Sequence, residues 1–324
     1  MIKKFLFLIS LIFFSCTDLF QQFRVSGPIF GTTYSIIYDG KSNLETAFDS
    51  LFFQINHSMS TYIKDSDISK VNSNLDVVVD HHFKSVFLTS KEIYKTTDGY
   101  FDPSIGAVVN AWDFGPEAKI ESLDKDKITE LMRSVGMDKV SLSQGLISKP
   151  LTLKLDFNAI AKGYAVDVIS EFLESKGIKN YLVEIGGEIR TLGQNSKKNS
   201  IWTVGVQHPD LDSDQAYVNT LVLEDESMAT SGTYRKFKID SKGNRYTHII
   251  NTRTGYPSRT NILSVSVIAR KCIKADAYAT ALQAMGVEAI RLFLQSHPEL
   301  KVFIVYISDD NKFKTEVFNG FPLS

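Results

Sequence analysis

The sequence predicts an α+β fold built as one unit, on three observations. Apolar runs of period 2 alternate with long runs of helical period, but without the strict strand–helix–strand rhythm of a doubly wound sheet. No internal repeat or low-complexity linker divides the 324 residues. From residue 181 onward short strands dominate, broken by one long helical segment. With 43% apolar and 11% aromatic residues, the chain carries ample material for a large core.

The elements follow in order. Residues 1–15 have the build of an export signal: Lys3 and Lys4, then the apolar run 5–14, too short to span a bilayer comfortably. Residues 16–25 read as a short tether and 26–324 as the folded domain. FGTTYSIIY (30–38) alternates as a strand, and a helix is expected near 45–56, followed by a loop carrying Met59 to Tyr62. A second helix is expected near 83–96, an aromatic loop at 111–115 and a short helix near 125–134. LTLKLD (151–156) has strand period and runs directly into a helix, with Asn158 as N-cap and Gly177 as stop. ILSVSVIA (262–269) reads as a strand, ADAYATAL (275–282) as a helix, and VFIVYIS and FKTEVFN as two closing strands.

Four segments carry groups capable of chemistry. In ADAYATAL, Asp276 and Thr280 stand four residues apart, so a helix puts both oxygens on one face. They are hard ligands of the kind magnesium takes, and the alanines around them let a large ligand approach. An Asp in a first helical turn also serves the macrodipole, and such a Thr often only packs. Lys162 falls in the first turn of the helix after residue 158, where a cation opposes the dipole unless an anion lies between them. A bound phosphate would resolve that conflict; a solvated lysine is the plainer reading. YTHIINTRTGYP (246–257) delivers His248 to a polar turn, as a proton acceptor or a structural hydrogen-bonder. MATSGTY (228–234), with Ser231, forms either an anion cradle or an ordinary turn.

Taken in order, these strings and four more resemble the FAD:protein FMN transferase family, also called the ApbE family of flavin-transfer lipoproteins. The others are FGTTYSI at 30–36, MSTYIKDSDISKVN at 59–72, TDGYFDPSIGAVVNAWDFGP at 97–116 and VEIGGEIRTLG at 183–193. LDFNAIAKGYAVD (155–167) and HIINTRTGYP complete the register, over nearly the whole mature chain. The resemblance implies one domain with mixed sheets, flanking helices and FAD in a central cleft. It implies flavin contacts from Phe30, Tyr62, Trp112, Asp113, Phe114, Asp156, Lys162, Ser231, His248 and Ile249. Magnesium would be held by Asp276, Thr280 and the carbonyl of Ala159. FAD is then a substrate: a Thr or Ser hydroxyl of an acceptor flavoprotein attacks the FMN phosphorus, AMP departs, and His248 takes the proton.

The chain departs from the family pattern at Phe30, where members often carry methionine, and at Asn158 and Ala159, where glycines or other small residues are common. At Asn251 aspartate is frequent; losing that charge beside the proposed base predicts slower turnover. The string FFSC before and at Cys16 resembles a bacterial lipoprotein cleavage site, which implies export and a lipid anchor on Cys16, facing the periplasm or cell exterior; plain secretion is the other reading. The balance of 36 basic against 37 acidic residues leaves no basic footprint for nucleic acid. Cys272 would be the one thiol left after lipidation and reads as a core residue. There is no G-x-G-x-x-G after a strand, so a Rossmann-type flavin site is not expected. FAD pyrophosphatase and a non-catalytic FAD-binding lipoprotein are the competing functions.

Overall fold

A computed structural model of the chain describes residues 20–117, 119–120, 123–207, 217–233, 237–239 and 245–323. The signal segment 1–15 and Cys16 lie outside the described residues. The main sheet has eight strands: β1 (Gln21–Ile29), β2 (Thr32–Gly40), β3 (Tyr181–Ile185), β4 (Glu188–Leu192), β5 (Ser227–Gly232), β6 (Ile262–Ala269), β7 (Lys301–Ile307) and β8 (Phe313–Phe318). They lie side by side in chain order, and every ladder between them is antiparallel. Mixed sheets are expected from the resemblance. Neighbouring strands that follow one another in alternating direction make no parallel pair, and among the described residues the one parallel contact is an isolated bridge between Ile105 and Lys154.

Among the described residues the α-helices are α1 (Glu45–Met59), α2 (Asp67–Asn72), α3 (His81–Thr96), α4 (Gly106–Ala111), α5 (Lys125–Met132), α6 (Ala161–Ser175), α7 (Cys272–Met285) and α8 (Val287–Gln295). The principal core lies between one sheet face and α1, α3, α6 and α7, with Ile36, Phe48, Phe87, Ile169, Val183 and Val267 fully or nearly fully buried. The other face is covered by a hairpin of strands Thr203–Gln207 and Tyr217–Val222. Its Val204, Val206 and Leu221 pack with Ile268, Phe303 and Val305. Alternation decides which residue faces which layer: Val302 and Ile304 point to the helices, Phe303 and Val305 to the hairpin. That double burial explains the unbroken apolar run of β7.

Three expected elements change. The tether ends early, because β1 begins at Gln21 and pairs with β2 over its whole length. β1 is an edge strand with Pro28 near its end, and Val25 is its one fully buried residue, so its alternation in the sequence is weak. Phe30 is not strand but the first residue of a two-residue turn, with φ of 50° followed by 73° at Gly31, between paired Ile29 and Thr32. Residues 151–156 are not a strand: 151–152 form a turn, and the remainder pairs only through the Lys154 bridge to Ile105. Helices α2 and α4 were not expected; each is one to two turns long, too short to show a period.

Helix α6 ends where its sequence says. Gly177 takes φ of 74°, its N–H bonds to Glu174 O, and Ile178 N–H bonds to Leu173 O, which together make a Schellman stop. Its start is different. The position before the helix is Ile160, with no side-chain cap, and Asn158 instead donates its N–H to Asp156 Oδ1 at 2.7 Å in a local turn. Helix α7 is buried nearly all round, and its alanines seat it against the sheet and α6.

Candidate active site

Where α6 and α7 begin, they cross antiparallel at van der Waals contact. Gly163 makes this possible: a Cβ there would lie 2.4 Å from the Cys272 carbonyl oxygen and 2.7 Å from Asp276 Cβ. Each helix caps the other. Asp276 Oδ2, on α7, accepts the Gly163 N–H of α6 at 2.9 Å. Asp167, on α6, accepts the first N–H groups of α7, from Cys272 at 3.1 Å and Ile273 at 2.9 Å. Neither helix has a side-chain cap of its own, so these carboxylates satisfy donors that would otherwise be orphaned in the core. Asp276 is therefore the fifth residue of α7, one turn in from its start, and not a residue of its first turn.

Strand β4 lies beneath α6 and supplies two charged residues two positions apart, hence on one face. Glu188 meets the Lys162 ammonium at 2.6 Å, and Arg190 meets Asp167 at 2.8 Å and Glu174 at 2.9 Å. The protein's own carboxylates thus already balance the charge of Lys162. Burial acts to lower the Lys162 pKa, but Glu188 and Asp276 outweigh it and hold the group protonated well above its usual range. Burial, with Asp276 nearby, raises the Glu188 carboxyl against the pull of Lys162. Glu188 follows the Gly186–Gly187 turn, where φ is 64° at Gly186, and the Lys162 stem lies against that glycine.

These groups open onto a cleft of about 450 Å³. The residues expected from the sequence converge there: Phe30, Phe114, Asp156, Ala159, Lys162, Ser231, His248, Ile249, Asp276 and Thr280 all line it. Thr280 Oγ1 lies 3.4 Å from Ser231 Oγ, which brings β5 to the same wall. Three expected residues lie elsewhere. Tyr62, 60% exposed, lines an adjoining hollow of about 310 Å³ that shares Asp156 with the cleft. Trp112 donates its indole N–H to Gly255 O at 2.8 Å and packs near Tyr256, holding the turn after His248. Asp113 sits in the left-handed turn that follows α4, with φ of 63°.

His248 emerges just after the short strand Arg245–Thr247, with the Phe114 ring edge-on at 6.3 Å. The turn beyond it is bolted to a neighbouring loop: Thr252 Oγ1 donates to Gly99 O at 2.5 Å, and Arg253 pairs with Asp98 and lies 4.2 Å over the Tyr100 ring. Asn251 Oδ1 accepts the N–H groups of Arg253 and Thr254 at 3.0 and 3.1 Å. Its oxygen serves the turn, a duty an aspartate would perform equally, so the exchange leaves the turn intact and changes only the charge.

Two charged residues of the cleft escaped the sequence reading. Glu188 was visible only as a carboxylate at the first strand position after a Gly-Gly turn. Asp102 lines the cleft and accepts both the N–H and the hydroxyl of Ser104, at 2.9 and 2.6 Å. Burial pushes its carboxyl up to about 6 despite those bonds. Among the described residues no three His, Cys, Asp or Glu side chains gather as a metal-binding group. Asp276, Thr280 and the Ala159 backbone offer hard oxygen donors around one wall of the cleft, which fits a hydrated magnesium ion better than a transition metal.

The sequence model of the ApbE family matches residues 30–304. A Vibrio cholerae serotype O1 protein named FAD:protein FMN transferase is 35% identical over 308 residues, 91% of this chain and 90% of that protein. An Escherichia coli (strain K12) protein of the same name is 30% identical over 266 residues, 79% of this chain and 74% of its own. The solved flavin transferase ApbE from Vibrio cholerae superposes with a TM-score of 0.84 at 32% identity, covering 94% of this chain and 99% of its own. Pseudomonas stutzeri flavinyl transferase ApbE, in its apo form, gives 0.83 at 26% identity, covering 93% and 96%. Matched over most of its length in sequence and in fold, this chain belongs to the ApbE family.

Proposed function

We propose that the protein transfers FMN from FAD to a Thr or Ser hydroxyl of an acceptor flavoprotein and releases AMP, with magnesium required. The observation that supports this most directly is the convergence of Asp156, Lys162, His248, Asp276 and Thr280 on one cleft in a chain of this family. Lys162 is the cation that faces the FAD diphosphate. Phe30 and Phe114 give the planar rings apolar walls, and Asp156 takes a polar edge. Asp276, Thr280 and the Ala159 carbonyl would hold magnesium, which supplies positive charge where the P–O bond to AMP breaks. An imidazole nitrogen of His248 takes the proton of the attacking hydroxyl as the new O–P bond forms.

Export and acylation at Cys16 belong to the same proposal, supported by the signal-like residues 1–16. Among the described residues no helix is long and apolar enough to cross a membrane. The test is incubation with FAD and magnesium, with and without an acceptor, measuring AMP and protein-bound flavin together. Flavin on the acceptor in step with AMP is expected. AMP and free FMN without transfer would make the protein an FAD pyrophosphatase, and binding without AMP would make it a carrier.

A further inference from the structure

The Lys162 ammonium lies between two carboxylates, and only one is in ion-pair contact. Glu188, 3% exposed, takes it at 2.6 Å, while Asp276 acts on it electrostatically from across the α6–α7 crossing. The Glu188 backbone is paired with Ile185 across the β3–β4 turn, and Asp276 Oδ2 accepts the Gly163 N–H. The lysine has a four-carbon stem, 30% exposed to the cleft, and can reach whichever anion lacks a partner. With all three groups ionised, this corner carries two negative charges and one positive.

We propose that Glu188 is a positioning residue that keeps Lys162 off Asp276, so that the Asp276 carboxylate stays free for a divalent cation. This rests on the reading of Asp276 as a magnesium ligand. Without the Glu188 charge, the other carboxylate acting on Lys162 is Asp276, and an ammonium on that carboxylate competes directly with the metal. With it, the corner has a net charge of −1 before the cation binds and +1 after. The corner therefore attracts the ion first and a diphosphate second, and both charges are set by the same buried pair.

The test uses Mg2+ alone, titrated into the protein without FAD and followed by calorimetry, with the melting temperature recorded in parallel. Glu188→Gln keeps the shape and the acceptor oxygen and should weaken Mg2+ binding by about tenfold or more. Adding Lys162→Met in that background removes the competitor and should return affinity to within about threefold of the parent. A merely structural glutamate would not be rescued by deleting its partner. Parent-like Mg2+ affinity in Glu188→Gln, or a double variant as weak as the single one, would overturn the proposal while Asp276→Ala still abolished binding. Mg2+ binding that does not depend on Asp276 would overturn the metal reading and this proposal together.

Discussion

The two halves of the cleft are built by opposite means. The Asp276–Lys162 half is a buried crossing of two helix starts, where Gly163, Asp167 and Asp276 lock α6 to α7 and β4 pins α6 through Glu188 and Arg190. The His248 half is a rim of loops, 98–102, 112–115 and 248–256, held by backbone bonds from Trp112 and Thr252 and by the Arg253–Asp98 pair. Groups that must hold charge in place are set in the core, where donors and charges cannot be left unpaired. The group assigned to move a proton stands half-buried on the loop rim beside Phe114.

The largest effect should come from breaking the crossing itself. Gly163→Ala forces a methyl against the Cys272 carbonyl and Asp276 Cβ, so the helices must separate. A loss of about 4 kcal/mol or more in chemical denaturation is expected, with FAD binding and transfer lost together. A loss under about 1 kcal/mol would show the contact to be compliant. On the rim the pattern should reverse. His248→Ala should lower transfer by roughly a hundred- to ten-thousandfold while melting temperature and FAD affinity stay near the parent values. Binding and transfer falling in equal measure would make His248 a structural residue.

Asp167→Asn sharpens the comparison, because it touches no cleft ligand. It leaves one α7 donor facing an amide N–H and strips a charge partner from Arg190, at a cost of about 2–3 kcal/mol by denaturation. No loss would mean that α7 needs no cap from α6. The smallest effect concerns Asp102, whose carboxyl is raised to about 6 by burial. Between its ordinary value near 4 and that value, the folded protein binds more protons than the unfolded chain. Stability therefore falls as pH rises through this window and recovers on acidification. From pH 7 to pH 5 this one group should return about 1 kcal/mol, seen as the difference between parent and Asp102→Asn denaturation curves. Parallel curves would place the Asp102 proton elsewhere.

Local signals were legible wherever a residue's role depends on its neighbours in the chain. Gly177 stops α6 through its own backbone, Asp276 and Thr280 face one way because a helix repeats, and β6 and β7 read as strands from their short apolar, β-branched runs. The family register gathered Phe30, Asp156, Lys162 and His248 into one site before any contact was visible. Read one residue at a time, each had an ordinary explanation.

What the sequence by itself determined is the fold class, the order of most elements, the family and a set of site residues most of which line the cleft, because periodicity, stop signals and motif register are properties of neighbours along the chain. Only the tertiary structure decided which partners those residues take. The anion beside Lys162 is Glu188, the cap of α7 is a carboxylate from α6, Trp112 braces a turn instead of lining the cleft, and 151–156 is not a strand. The contacts that settle these roles join residues roughly 25 to 145 positions apart, and whether a buried charge or donor is satisfied depends on which group the fold carries to it across that distance.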